Sequence, residues 1–237
     1  MRYLFVTGIP RSGTTLAAKL LNWHPRCCLS IESHFPLDLL QAFDPFGEGS
    51  HMPDRPTTWR LPDGSLRTYN WKLPKLAEVF YHPEPRLHLA RAAIAGISSY
   101  CFPHAHVFGD KSPFYSMRRC WETVKELLPG SQFIVMQRPL EECVESLMRT
   151  PWWGGAGKDR DEAREMLQAH LDGQDGIPDA LFVELEELQA NPEPTLRLML
   201  DWAGLNVGAV SRLEPDGLLR SYPMKEAIAE MREGKYN

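Results

Sequence analysis

The sequence predicts an α/β fold, a mostly parallel β-sheet flanked by helices, carrying one irregular insertion rich in proline and tryptophan. Three observations lead there. Short apolar runs alternate with segments of helical periodicity. The first apolar run passes through a turn with two glycines, GIPRSGTT, straight into a helix pattern. Residues 44–75 then break the alternation, with Pro45, Pro53, Pro56, Pro62 and Pro74 set beside Trp59 and Trp71.

Taken in order, residues 3–7 (YLFVT) read as a strand buried on both faces. Leu16, Leu20 and Trp23 follow at helical spacing, and His24-Pro25 ends that helix because a residue before proline avoids helical angles. Residues 27–31 (CCLSI) suit a second short strand. Residues 44–75 read as irregular loops, a lid or a wall of an acceptor site. Residues 83–100 are helical, 106–110 (HVFGD) a strand, and 117–130 a helix stopped by Pro129-Gly130. Residues 132–137 (QFIVMQ) form the clearest later strand. Arg138-Pro139 closes it, and 140–149 is helical with proline suited to its first turn. A charged helix over 158–171, a strand over 180–185 and a helix over 192–205 complete the pattern.

Bulk properties narrow the function. The 237 residues suit a single domain spanning 1–237. A net charge of -5 gives no general reason to expect nucleic acid as a partner. No apolar run approaches the ~20 residues of a membrane helix, so no membrane span and a cytoplasmic location are expected. The five cysteines are odd in number and lack C-x-x-C spacing, which points to reduced thiols. His24 belongs to the helix-ending turn, and His104 and His106 lie at ligand spacing from no cysteine or carboxylate, so no metal site is expected.

The turn between first strand and first helix carries the chemistry. Backbone N–H groups and the helix terminus there favour an anion. Gly8 and Gly13 allow the tight turn, Arg11 adds a cation, and Ser12, Thr14 and Thr15 add hydroxyls. This is a P-loop-type arrangement, but Thr14 stands where a nucleotide hydrolase has lysine. Arg138, at a strand end, and Ser146, two helical turns on, have the chemistry to grip a second phosphate; the other reading is a surface ion pair for the arginine and an outward-facing serine.

Together P-R-S-G-T-T (Pro10, Arg11, Ser12, Gly13, Thr14, Thr15) and R-P-L-E-E-C-V-E-S resemble the sulfotransferase family, which uses 3′-phosphoadenosine 5′-phosphosulfate (PAPS) as donor. The resemblance extends to VELEELQANPEPTLRLMLDWAGL and is thin across residues 36–105. It implies that the first loop holds the 5′-phosphosulfate, that Arg138 and Ser146 hold the 3′-phosphate, and that no metal is required. It implies in-line transfer of a sulfuryl group to an acceptor hydroxyl, of a small molecule or a peptide, with a base to take the acceptor proton. Two candidates sit in SIESHF. Glu32 occupies a place like that of the glutamate base in the tyrosylprotein branch. His34 is its rival, since the small-molecule cytosolic branch uses histidine. Position favours Glu32.

GDKSP resembles the family's K-x-P segment, which makes Lys111 the stabiliser of charge on the transferring group. Ser221 and Lys235 are candidates for contacts that close over the nucleotide. One departure is that Leu185 stands where relatives often have a tyrosine before the glutamate, so that nucleotide contact is lost. The alternatives are a P-loop kinase, in which Asp110 would serve a metal site, and a non-catalytic nucleotide-binding scaffold. Oligomeric state is not legible.

Overall fold

Strand β1 (Arg2–Gly8) is apolar on both faces, and its alternation decides how the domain is layered. Leu4 and Val6 point to one side of the sheet, where they meet Ala17 and Leu21 of α1 (Thr14–Leu21) and Leu196, Met199 and Leu200 of α8 (Pro192–Trp202). Phe5 points to the other, against Ala90 and Ile94 of α3 (Pro83–Cys101) and Trp121, Val124 and Leu127 of α4 (Arg118–Leu127). Each face is covered by helices, as an all-parallel sheet requires.

The computed structural model describes the backbone of residues 1–42, 57–60, 66–69, 83–205, 210–213 and 219–222, and the side chains of 1–40 and 87–205. The main sheet runs β2 (Cys27–Ile31), β5 (Val107–Lys111), β1, β6 (Gln132–Gln137), β7 (Ala180–Glu184), and every pairing is parallel. The chain leaves β1 toward β2 at one edge and leaves β6 toward β7 at the other. The carboxyl ends of β1 and β6 are therefore neighbours whose connections diverge, the place where open α/β sheets form a ligand crevice.

A third apolar cluster joins Ile9 of the first turn to Cys143, Val144 and Leu147 of α5 (Leu140–Met148) and to Ala163 and Leu167 of α6 (Arg160–Gln174). It anchors the turn after β1 to the helix after β6.

The structure differs from the sequence reading in four places. Inside the stretch read as irregular, β3 (Thr57–Arg60) and β4 (Leu66–Tyr69) pair antiparallel. The rest of 44–75 lies outside the described residues. A helix α2 (Phe35–Ala42) follows SIESH. The strand read as 180–185 ends at Glu184, and α7 (Leu185–Ala190) begins with Glu186 and Glu187 in its first turn, where carboxylates favour a helix start. Near the end of the chain, β8 (Val210–Leu213) pairs with β9 (Leu219–Tyr222).

Candidate active site

The turn between β1 and α1 is built from unusual backbone angles. Gly8, Arg11 and Gly13 all have positive φ, at 145°, 75° and 91°. For Arg11 this conformation costs roughly 1–2 kcal/mol, and such outliers mark functional loops. A Cβ on Gly8 would press on the carbonyl oxygen of Met136 and come within 2.6 Å of Ser12 Oγ. On Gly13 it would come within 2.6 Å of Leu185 Cδ1. Only glycine fits either position.

Ser12 N–H donates to Ile9 O at 3.1 Å, which folds the turn inward. Its hydroxyl is buried and has no hydrogen-bond partner among the described residues. An orphaned donor beside the free N–H groups at a helix start is a fit for an anion.

Arg138 and Ser146 meet this turn. Arg138 leaves the end of β6 and donates from Nη1 to Arg11 O at 3.2 Å, while its Nε pairs with Glu142 at 3.1 Å. Arg11 Nε donates to Ser146 Oγ at 3.1 Å. Two guanidinium groups, one hydroxyl and the start of α1 thus converge on the crevice between β1 and β6. The sequence separated these residues into two phosphate elements, and the fold brings them side by side.

On the other flank, β5 delivers Lys111 and β2 delivers Glu32. Lys111 Nζ donates to Glu32 Oε1 at 2.5 Å, with the lysine side chain 2% exposed and the glutamate 55% exposed. A buried ammonium needs such a partner. Glu32 N–H also donates to Lys111 O at 2.7 Å, which continues the β2–β5 ladder past Ile31.

His34 sits at the start of α2, where its carbonyl accepts from Leu37 and Asp38 N–H, both at 3.0 Å. Its ring lies edge-on to Phe114 at 5.2 Å between centroids. Lys111 is paired with Glu32 rather than with His34. The side chain of Ser221 and the whole of Lys235 lie outside the described residues.

Sequence reasoning named Asp110 only as a metal-site residue of the kinase alternative and missed the group built around it beneath this flank. Asp110 is fully buried, and its carboxylate accepts from Ser30 Oγ at 2.7 Å, Ser33 N–H at 3.3 Å, Ser33 Oγ at 3.1 Å, His34 N–H at 3.0 Å and Tyr115 OH at 2.9 Å. Burial first, and the Asp110 charge second, push the Tyr115 phenol well above its ordinary range, so it stays a donor. Asp38, one turn into α2, has its carboxyl pushed upward by burial. Only the aspartate beside Lys111 was legible in the sequence; its partners come from three other elements. Among the described residues no group of histidine, cysteine and carboxylate side chains could hold a metal ion, and no helix is long and apolar enough to cross a membrane.

Comparison with known proteins agrees with this fold. The chain is similar in fold to the sulfotransferase domain of the Synechococcus PCC 7002 olefin synthase, at 20% identity and TM-score 0.53, over 86% of this chain and 73% of that one. It is similar to the sulfotransferase domain of the curacin biosynthetic pathway, at 17% identity and TM-score 0.56, over 98% of this chain and 90% of that one. A Mycobacterium avium sulfotransferase matches at 16% identity and TM-score 0.51, over 99% of this chain and 68% of that one. Sequence comparison matches residues 4–208 to the family described as the sulfotransferase family. With most of its length so matched, the chain belongs to the sulfotransferase family, whose enzymes transfer a sulfuryl group.

Proposed function

We propose that the protein transfers the sulfuryl group of PAPS to an acceptor hydroxyl. The observation that carries this reading is the meeting of Arg11, Arg138 and Ser146 at one crevice, beside the paired Lys111 and Glu32. Arg11, Ser12, Gly13, Thr14 and Thr15, with Pro10 shaping the turn, hold the 5′-phosphosulfate. Arg138 and Ser146 hold the 3′-phosphate, the guanidinium as a fork and the hydroxyl as a single donor. The bound donor supplies an activated sulfuryl group on a phosphate leaving group.

The residues of this chain do the rest. Glu32 accepts the proton of the acceptor hydroxyl as its oxygen bonds to sulfur and the bond from sulfur to the phosphate oxygen breaks. On taking that proton the carboxyl becomes neutral, which frees the Lys111 ammonium to face the charge on the departing phosphate oxygen. Charge moves one way and the fixed cation answers it, much as in phosphoryl transfer. The carboxylate of Glu32 and the ring of Phe114 are both exposed, which suits groups that meet an acceptor. Support for Glu32 over His34 is its direct contact with Lys111. Likeness to the tyrosylprotein branch rests on the position of Glu32 alone and names no acceptor.

Calorimetric titration with adenosine 3′,5′-bisphosphate, beside ATP with magnesium, tests the reading. Tight binding of the bisphosphate with none of ATP is expected. Binding of ATP with magnesium alone would overturn it in favour of a kinase, and binding of neither would favour a scaffold.

A further inference from the structure

Asp110 is buried, ionisable and absent from the mechanism above, yet it accepts more side-chain and backbone hydrogen bonds than any phosphate-binding residue in the site. Its partners define what it does. Ser30 is the residue of β2 that faces it in register, and Ser33 and His34 form the turn that follows. Glu32, between them, has φ 55°, and His34 has φ 51°. Neither is glycine, yet both occupy the left-handed region, which is uncommon for a glutamate and less so for a histidine. The two N–H groups after Glu32 both point at the Asp110 carboxylate, and no other acceptor satisfies them among the described contacts. The His34 N–H lies at the start of α2, where a negative charge is favourable. Tyr115 fixes the far side of the carboxylate, from the 3-10 turn at Pro113–Ser116.

We infer that Asp110 is the positioning residue of the base: its carboxylate clamps the left-handed turn at 32–34 and thereby delivers Glu32 to Lys111. This rests on the reading of Glu32 as base. Asp110 touches neither donor nor acceptor, and acts by holding Ser33 and His34. A carboxylate suits the task because it accepts all five bonds and donates none, whereas the amide of asparagine would turn two donors toward donors.

The test uses the full chain with lysine labelled with 15N at Nζ. An arginine at Lys111 (Lys111→Arg) assigns that resonance by its loss, and Glu32→Gln gives its position without the carboxylate partner. In Asp110→Asn the resonance is expected to leave the wild-type position, in the direction set by Glu32→Gln. The affinity for adenosine 3′,5′-bisphosphate should stay unchanged, and turnover of PAPS should fall about 10²-fold, the loss that a misplacement of about 1 Å produces. Tyr115→Phe and Ser33→Ala each remove one contact and should move the resonance part of the way, which keeps the test decisive if Asp110→Asn does not fold. A wild-type Lys111 resonance in folded Asp110→Asn, or in both single-contact variants if it does not fold, overturns the inference. A merely structural role would give that resonance with a lowered Tm. Wild-type turnover by Glu32→Gln would instead refute Glu32 as base, an outcome separate from the pairing result.

Discussion

The two flanks of the crevice are built in opposite ways. On the donor flank, Arg11, Arg138 and Ser146 reach one another through single hydrogen bonds between solvent-accessible groups, 3.1 and 3.2 Å long. On the acceptor flank, a buried lysine and a buried aspartate organise a short turn through backbone and side-chain bonds. Binding a multiply charged anion tolerates long, adjustable cations, because charge attraction falls off slowly with distance. Proton transfer does not tolerate such looseness, since the base must lie within hydrogen-bond reach of the proton it takes. Under the proposed function, the difference in construction follows the difference in task.

The largest effect should come from breaking the acceptor flank alone. Glu32→Gln keeps an oxygen acceptor for Lys111, so the buried ammonium is not stranded and the fold should survive. Turnover of PAPS is expected to fall by about 10²–10⁴-fold, the usual contribution of a general base. Titration with adenosine 3′,5′-bisphosphate should give the wild-type affinity. A matching loss of affinity would mean that the two flanks are not separable.

Arg138→Ala breaks the other flank. A charge-assisted hydrogen bond is worth roughly 1.5–3 kcal/mol, so affinity for the bisphosphate should drop by about one to two orders of magnitude. Adenosine 5′-monophosphate, which lacks the 3′-phosphate, should bind both proteins equally. Equal loss for both nucleotides would move Arg138 away from the 3′ side.

How legible each flank was follows from the same contrast. The donor flank is written in contiguous residues. Gly8 to Thr15 is one turn, and Arg138 with Ser146 is one strand end and its helix, so each could be matched to a family motif as a contiguous stretch. The acceptor flank is written across the sheet. Lys111 meets Glu32, and Asp110 meets Ser30, Ser33 and His34, only because β2 and β5 are register partners, while Tyr115 reaches Asp110 from the turn just after β5. Short parallel strands carry no local mark of their neighbours, so the sequence offered Asp110 as a metal ligand rather than as a clamp. In the same way α2 was missed because its start is set by an aspartate from another strand. The layering of the sheet was legible from apolar runs such as YLFVT and QFIVMQ, whereas β3 and β4 lie in a stretch whose proline content read as irregular.

Gly8→Ala tests whether the donor flank depends on backbone rather than side chains. The new methyl would press on the Met136 carbonyl, and φ 145° is a region closed to alanine. Such strain costs of order 1–3 kcal/mol. Thermal unfolding should show a lowered Tm, and bisphosphate affinity should fall even though no donor side chain has been removed. A wild-type Tm would mean that the turn relaxes without cost.

The smallest expected effect is a slope in stability on the acid side, and it separates the flanks by pH. His170 on α6 is buried, with Nδ1 2.6 Å from Ser116 Oγ, in the 3-10 turn that also carries Tyr115. Burial holds its pKa below the ordinary 6.5, with a backbone bond to Pro113 opposing. The unfolded chain therefore binds a proton at a higher pH than the folded one, so stability falls as pH drops below about 6.5. On the donor side, Glu141 at the start of α5 behaves differently. Its hydrogen bond to Arg164, helped by Arg160, holds its carboxyl down to about 2. That contribution is present above the ordinary carboxylate value of 4.5 and is lost as pH falls toward 2, and because the pair is exposed it is small and weakened by salt. Unfolding followed from pH 7 to 5 should thus show a loss that His170→Gln flattens and Glu141→Gln leaves alone. An unchanged slope in His170→Gln would place the acid-sensitive group outside the turn that supports the base.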